Sequence, residues 1–250
     1  MSEMMSTVVS ALRADQSRLE QASINASNAS TPGYRRSAVA ALSFGHVMNA
    51  QQARDASPVG NSVWSADAPV LRKVTDFTPG GLQQTGRALD VAVEGKGFIA
   101  LSDGSRTWLT RTASLSVDAS GDLVGPKGWR VVGVQGNIRP GSDQGLSISS
   151  AGQISREGQI VGALHIVEPA EGVTLNSEDG VFFEVSPDRM QSAIAEQVVV
   201  RAGFLEGSNT NSLKEMLSVM ESVRHFESLI RLAQGYDEVL GKAIQKLGEV

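Results

Sequence analysis

Glycine and proline are distributed so unevenly along this chain that they divide it into three regions. The first 31 residues contain neither. Between positions 76 and 187 stand 18 of the 26 glycines, whereas the stretch from 208 to the end has three and no proline. Both residue types weaken helix interiors and punctuate turns. The ends are therefore predicted to be helical and the middle to consist of strands and turns.

At the N-terminus Met1, Met5, Val8, Leu12, Asp15, Leu19, Ala22 and Ala26 follow one another at alternating steps of four and three. That is a heptad seam with one polar position, Asp15. The helix should stop near Ser30, because Pro32 disfavours a helical residue before it and Gly33 follows. Near the C-terminus Leu213, Met216, Met220, Val223, Phe226, Ile230, Ala233, Tyr236, Leu240, Ala243 and Leu247 form a second apolar stripe, with Ser208 and Asn209 as N-cap candidates. A helix of about 40 residues is about 60 Å long, and most of its stability comes from burying such a stripe. The expectation is an α+β protein, with long N- and C-terminal helices paired as a coiled-coil-like stalk and a central, mostly antiparallel β domain. The second stripe is longer than the first helix can cover, which leaves apolar surface for other chains.

Between the helices the apolar period changes to two. Runs at 89–94, 98–101, 108–111, 129–134, 146–149, 160–167, 181–185 and 197–200 read as short strands, with Asp103-Gly104 and Ser120-Gly121 as turns between neighbours. Residues 35–75 have no firm period and read as an extended connector. The predicted division is thus a helix over 1–34, a connector over 35–75, a β-rich domain over 76–207 and a helix over 208–250.

Composition narrows the function. Twenty-two basic residues against 27 acidic ones give a net charge of −5, which argues against general nucleic-acid binding. With no cysteine there are no disulfides, thiolate metal sites or cysteine nucleophiles. No apolar run approaches the roughly 18–20 residues of a membrane span. The first positive charge, Arg13, follows the apolar residues rather than preceding them, the wrong order for a secretory signal peptide. Export, if it occurs, is expected to use no cleaved signal.

Chemical motifs are few. Gly95-Lys96-Gly97-Phe98-Ile99-Ala100 matches the loose dinucleotide pattern, but that pattern needs a helix to follow, and the Asp103-Gly104 turn leaves no room for one. Asp118-Ala119-Ser120-Gly121-Asp122 lacks the glutamate of a calcium loop. His46, His165 and His225 share no ligand spacing, and no G-x-S-x-G elbow occurs. No catalytic set, cofactor, metal or small-molecule substrate is predicted.

Asn25-Ala26-Ser27-Asn28-Ala29-Ser30-Thr31-Pro32-Gly33-Tyr34 resembles the N-terminal signature of bacterial flagellar rod and hook proteins, in which a helix ends in Asn-x-x-Asn-x-x-Thr-x-Gly-Phe/Tyr. The pattern falls on Asn25, Asn28, Thr31, Gly33 and Tyr34, with Ala26 where the family usually has a bulkier apolar residue. Three more matches follow in the family's order. They are 81–86 with 89–98, then Thr110-Arg111 with 121–124 and Gly128, and last 203–209 with Phe226-Glu227. The resemblance implies a structural subunit of the flagellar basal-body rod, exported by the flagellar type III apparatus. Its implied partners are copies of itself and neighbouring rod proteins. Together with the stripes, it places the assembly interface on Val8, Leu12, Leu19, Asn25, Asn28, Thr31, Gly33, Tyr34, Ser208, Asn209, Leu213, Met216, Met220, Val223, Phe226, Ile230 and Leu240. A reading of a different class, a secreted β-rich cell-wall-binding or adhesion module, accounts for the glycine-rich middle but not for helical seams at both ends.

Overall fold

The computed structural model describes residues 2–42 and 70–248, except 171, 174, 178, 195 and 196. Two compact units divide the chain. One comprises Met1–Ser27, Ser37–Asp76 and Asn211–Val250, and the other Asn28–Arg36 and Phe77–Thr210.

The first unit holds helix α1, Ser2–Ser27, and helix α2, Ser212–Gly248. It also holds an antiparallel strand pair, Ser37–Leu42 with Val70–Thr75, in register from Ser37 opposite Thr75 to Leu42 opposite Val70. These strands stand at the two ends of the segment expected to be a connector. Ser37-Ala-Val-Ala-Ala-Leu carries no polar–apolar alternation to mark a strand. Positions 43–69, His46 included, lie outside the described residues.

The expected coiled-coil-like stalk is overturned. Helix α1 has 26 residues and α2 has 37, so α1 is too short to line the whole of its partner. They run antiparallel, with the C-terminal end of α1 beside the start of α2: Asn25 Nδ2 donates to Glu215 Oε2 at 3.1 Å, and Asp15 meets His225. The predicted seam is buried only in part: Leu12, Leu19 and Ala26 of α1 and Phe226, Ile230, Ala233 and Tyr236 of α2 are half-buried. Among the described side chains the buried positions on α1 are Val8, Ala14, Asp15, Gln21, Ala22 and Asn25, and on α2 they are Glu215 and Ser222. The predicted stripe residues Leu213, Met216 and Met220 are instead 67%, 56% and 54% exposed. The expected N-cap also shifts. Asn211 Oδ1 accepts the Lys214 N–H at 3.1 Å, a cap two residues nearer the helix than Asn209.

In the second unit every strand pairing is antiparallel. A nine-stranded sheet is built around Phe98–Ser102, which is flanked by Thr107–Thr110 and Arg130–Gly133. Alternate residues of this strand enter different clusters. Ile99 and Leu101 join Val91, Leu123, Val131 and Ile154, while Phe98 and Ala100 join Leu109, Val167 and Phe183. Both faces are therefore dry, which is why its sequence is apolar throughout rather than alternating. Asp90–Gly95 lies between Val198–Ala202 and Thr112–Ser114 in a separate three-stranded sheet.

All eight predicted runs contain strands. The 160–167 run splits into Gln159–Ala163, which pairs with Gln153–Arg156, and Ile166–Pro169, which pairs with Phe98–Ser102. The strand Phe98–Ser102 also follows Gly97 directly, where a dinucleotide site would need a helix. Asp118 Oδ1 accepts the N–H groups of Ser120 and Asp122 at 2.9 and 2.8 Å, closing a turn upon itself.

Candidate functional site

The signature residues that follow α1 belong to the β-rich unit rather than to the helix. Asn28 Oδ1 accepts the Thr31 hydroxyl at 3.1 Å, and the Asn28 carbonyl accepts the Thr31 N–H at 3.1 Å. Gly33 then turns the chain with φ 76°, a left-handed conformation that glycine adopts without penalty. Its N–H donates to the Glu206 carbonyl at 2.7 Å. Tyr34 is 1% exposed, and its ring lies against Gly180, where a Cβ would meet Tyr34 Cε2 at 2.5 Å.

Beside them lies a buried ion triad that the sequence analysis leaves unnamed. Glu206 Oε1 accepts Arg35 Nη2 at 2.6 Å and the Gly80 N–H at 2.8 Å, and Glu206 Oε2 accepts Arg111 Nε at 3.3 Å. Arg111 also caps three carbonyls, Gly95, Gly97 and Val93, at 2.7, 2.6 and 2.8 Å. Burial pushes the Arg111 guanidinium below its ordinary pKa. Glu206 opposes that shift and Arg35 adds to it. Two guanidinium groups around one carboxylate, with backbone partners for most of the remaining donors, satisfy the condition for ions to tolerate burial.

Asn209 ties the same segments together from the exit side. Its Oδ1 accepts the Arg36 N–H at 2.7 Å, and its Nδ2 donates to the Thr78 carbonyl at 3.1 Å, which Arg35 Nη1 also reaches at 3.1 Å. Ser208 Oγ accepts the Thr210 N–H at 3.1 Å. Thus 28–36, 77–81 and 204–210, the stretches by which the chain leaves and re-enters this unit, are fastened to one another. Glu206 and Arg111 lie within quoted family motifs. Their only separate signal is a charge inside an otherwise strand-like run.

A second feature of this unit is Lys127. It stands at φ 63° with its ammonium 4.8 and 4.6 Å from the Trp129 and Phe182 ring centroids, and it donates to Asp179 Oδ2 at 2.7 Å. Burial works to raise the Asp179 pKa. Lys127 and the N–H groups of Phe182 and Val181 outweigh it and hold the carboxyl below its usual value.

In the helical unit the predicted interface residues separate into two groups. Val8 and Asn25 are buried, and Leu12, Leu19, Phe226 and Ile230 are half-buried. Asn25 bridges elements: besides Glu215 it donates to the Ser37 carbonyl at 2.8 Å and accepts the Ser37 N–H at 3.2 Å. Leu213, Met216, Met220 and Val223 face outward, joined by Leu217 at 52% exposure. The Leu240 side chain lies outside the described residues. Among the described residues no group of His, Asp and Glu could hold a metal ion, and no helix is long and apolar enough to cross a membrane.

Comparisons with known proteins supply the family of the chain. The family profile described as flagellar basal body rod FlgEFG protein C-terminal matches residues 201–246, and that of the flagellar hook protein FlgE/F/G D1 domain matches 92–156. The flagellar basal-body rod protein FlgF of Escherichia coli (strain K12) is 30% identical over 96% of this chain and 97% of its own length. FlgF of Salmonella typhimurium is 28% identical over the same shares, and FlgG of Bacillus subtilis is 25% identical over 94% and 96%. Ala29–Tyr34 and Leu205–Asn209 resemble the corresponding segments of rod protein F more than those of distal rod protein G. The chain belongs to the bacterial flagellar basal-body rod protein family, within which it is most like FlgF.

Proposed function

We propose that this chain is built into the flagellar basal-body rod through its terminal helices, against copies of itself and neighbouring rod proteins, and there helps transmit motor torque. Members of its family are structural proteins, and the chain is a structural rod subunit rather than an enzyme. The observation that carries the assembly reading is the outward face of α2. Leu213, Met216, Leu217 and Met220 are each more than half exposed on consecutive turns of one helix. A contiguous apolar patch is costly to leave in water and marks an interaction surface.

Export through the flagellar type III apparatus, without a cleaved signal, belongs to the same reading. It is supported by the family resemblance. The test is secretion and incorporation scored separately in a strain whose only copy carries Met216→Glu and Met220→Glu. The reading expects the variant to be exported yet missing from purified basal bodies. Normal incorporation would refute assembly through this face.

A further inference from the structure

Helix α2 has apolar residues on two faces, and over its first three turns it presents a polar side to α1. Further along, Phe226, Leu229, Ile230, Ala233 and Tyr236 are half-buried on the α1 side. The apolar residues Leu213, Met216, Leu217, Met220 and Val223 share one face. The face turned towards α1 carries Glu215, Ser218, Val219 and Ser222 and lies about 140° round the helix from it. Hydrophobic burial alone does not choose between the two apolar faces: rotating α2 would cover Leu213, Met216, Leu217 and Met220 but uncover Phe226, Leu229, Ile230 and Tyr236.

Two polar pairs hold the observed orientation. Asn25 with Glu215 and Asp15 with His225 are each buried on at least one side, with Asn25 at 1%, Glu215 at 2% and Asp15 at 3% exposure. The pairs are spaced ten residues apart on both helices and run in opposite directions, so both are met in one antiparallel register. A rotation of α2 or a slip by one turn breaks both together, and the buried Asn25 and Asp15 each lose a hydrogen-bond partner on α2. Arg18, at 3.2 Å from Asp15 Oδ1, adds a further charge on the α1 side.

We propose that these polar pairs select which face of α2 meets α1, and so keep α1 off the apolar face and leave that face free for a second subunit. Single buried polar residues play this register-setting part in coiled coils at some cost in stability. The purpose assigned to the free face rests on the assembly reading above. The selection itself is read on the isolated protein, so the two fail separately.

The test uses full-length monomer carrying Asp15→Leu with Asn25→Leu, and a second variant with Asp15→Leu alone, which keeps the Asn25 bonds to Ser37. Peroxide oxidation of Met216 and Met220 is followed by mass spectrometry, with Met190 of the β-rich unit as internal reference and circular dichroism as the measure of helix content. In the native protein both methionines should oxidise readily, since oxidation follows exposure. In the double variant they should become several-fold slower at unchanged helix content, because α1 now covers the apolar face. The single variant should fall between the two. Unchanged oxidation rates with intact helices would overturn the proposal. Loss of the helical signal would overturn it too, since the pairs would then merely stabilise the helices.

Discussion

Arg35 Nη2 and Glu206 Oε1 meet at 2.6 Å with both side chains sealed from water. Arg35 belongs to the segment following α1 and Glu206 to the segment preceding α2, so the pair joins two stretches 171 residues apart in sequence inside the β-rich unit. Removing the carboxylate leaves two guanidinium groups buried side by side. Glu206→Ala should therefore destabilise this unit by about 3–5 kcal/mol. Differential scanning calorimetry of the variant checks it, and a loss below about 1 kcal/mol would mean that water replaces the carboxylate.

Gly33 gives a second prediction. Its φ of 76° is unfavourable for any side chain, and an added Cβ would sit 2.9 Å from Thr112 Cγ2. Gly33→Ala should cost about 1–2 kcal/mol from the backbone alone, and Gly33→Val more, because a β-branched residue fits this region worst. Both should lower the melting temperature of the β-rich unit itself, since 28–36 is packed within it. A valine variant that melts like the native protein would refute this.

The strands and the helical ends could be read in the sequence because they leave periodic marks: alternation at 89–94, and heptad steps from Val8 to Ala26. Other features left none. The Ser37–Leu42 strand is small and apolar on both sides. The triad is assembled from Arg35, Arg111 and Glu206, which are far apart in sequence, and no local pattern announces a contact made by tertiary folding. The heptad on α2 was visible, but periodicity reports that an apolar face exists and not which partner covers it. Burial of Glu215 and Ser222 in place of Met216 and Met220 was therefore outside its reach.

Asp179 supplies a pH dependence. Its carboxyl is held below its ordinary pKa of 3.8 by Lys127 and two backbone N–H groups, against the effect of burial. A depressed folded-state pKa contributes stability above the unfolded value, which is lost as pH falls through the folded one. The thermal stability of the native protein should therefore exceed that of Asp179→Asn at pH 7, with the gap closing below about pH 4. A gap that stayed constant from pH 7 to pH 2 would show that the carboxylate charge is not the cause.

Met220 is 54% exposed, so Met220→Glu should change the stability of the isolated protein by no more than about 0.5 kcal/mol. The same substitution should abolish swimming. Motility in soft agar, set beside a urea melt of the purified variant, separates the two effects. A swimming strain would contradict the role given to this face.

The most direct measurement is an electron cryo-microscopy map of basal bodies purified from cells carrying this chain, at a resolution that shows side chains. The expected result is the chain in the rod, with Leu213, Met216, Leu217 and Met220 of α2 packed against a neighbouring subunit and the Asn25–Glu215 contact intact within it. Finding those four side chains facing solvent in the assembled rod, or finding the rod built without this chain, would contradict it.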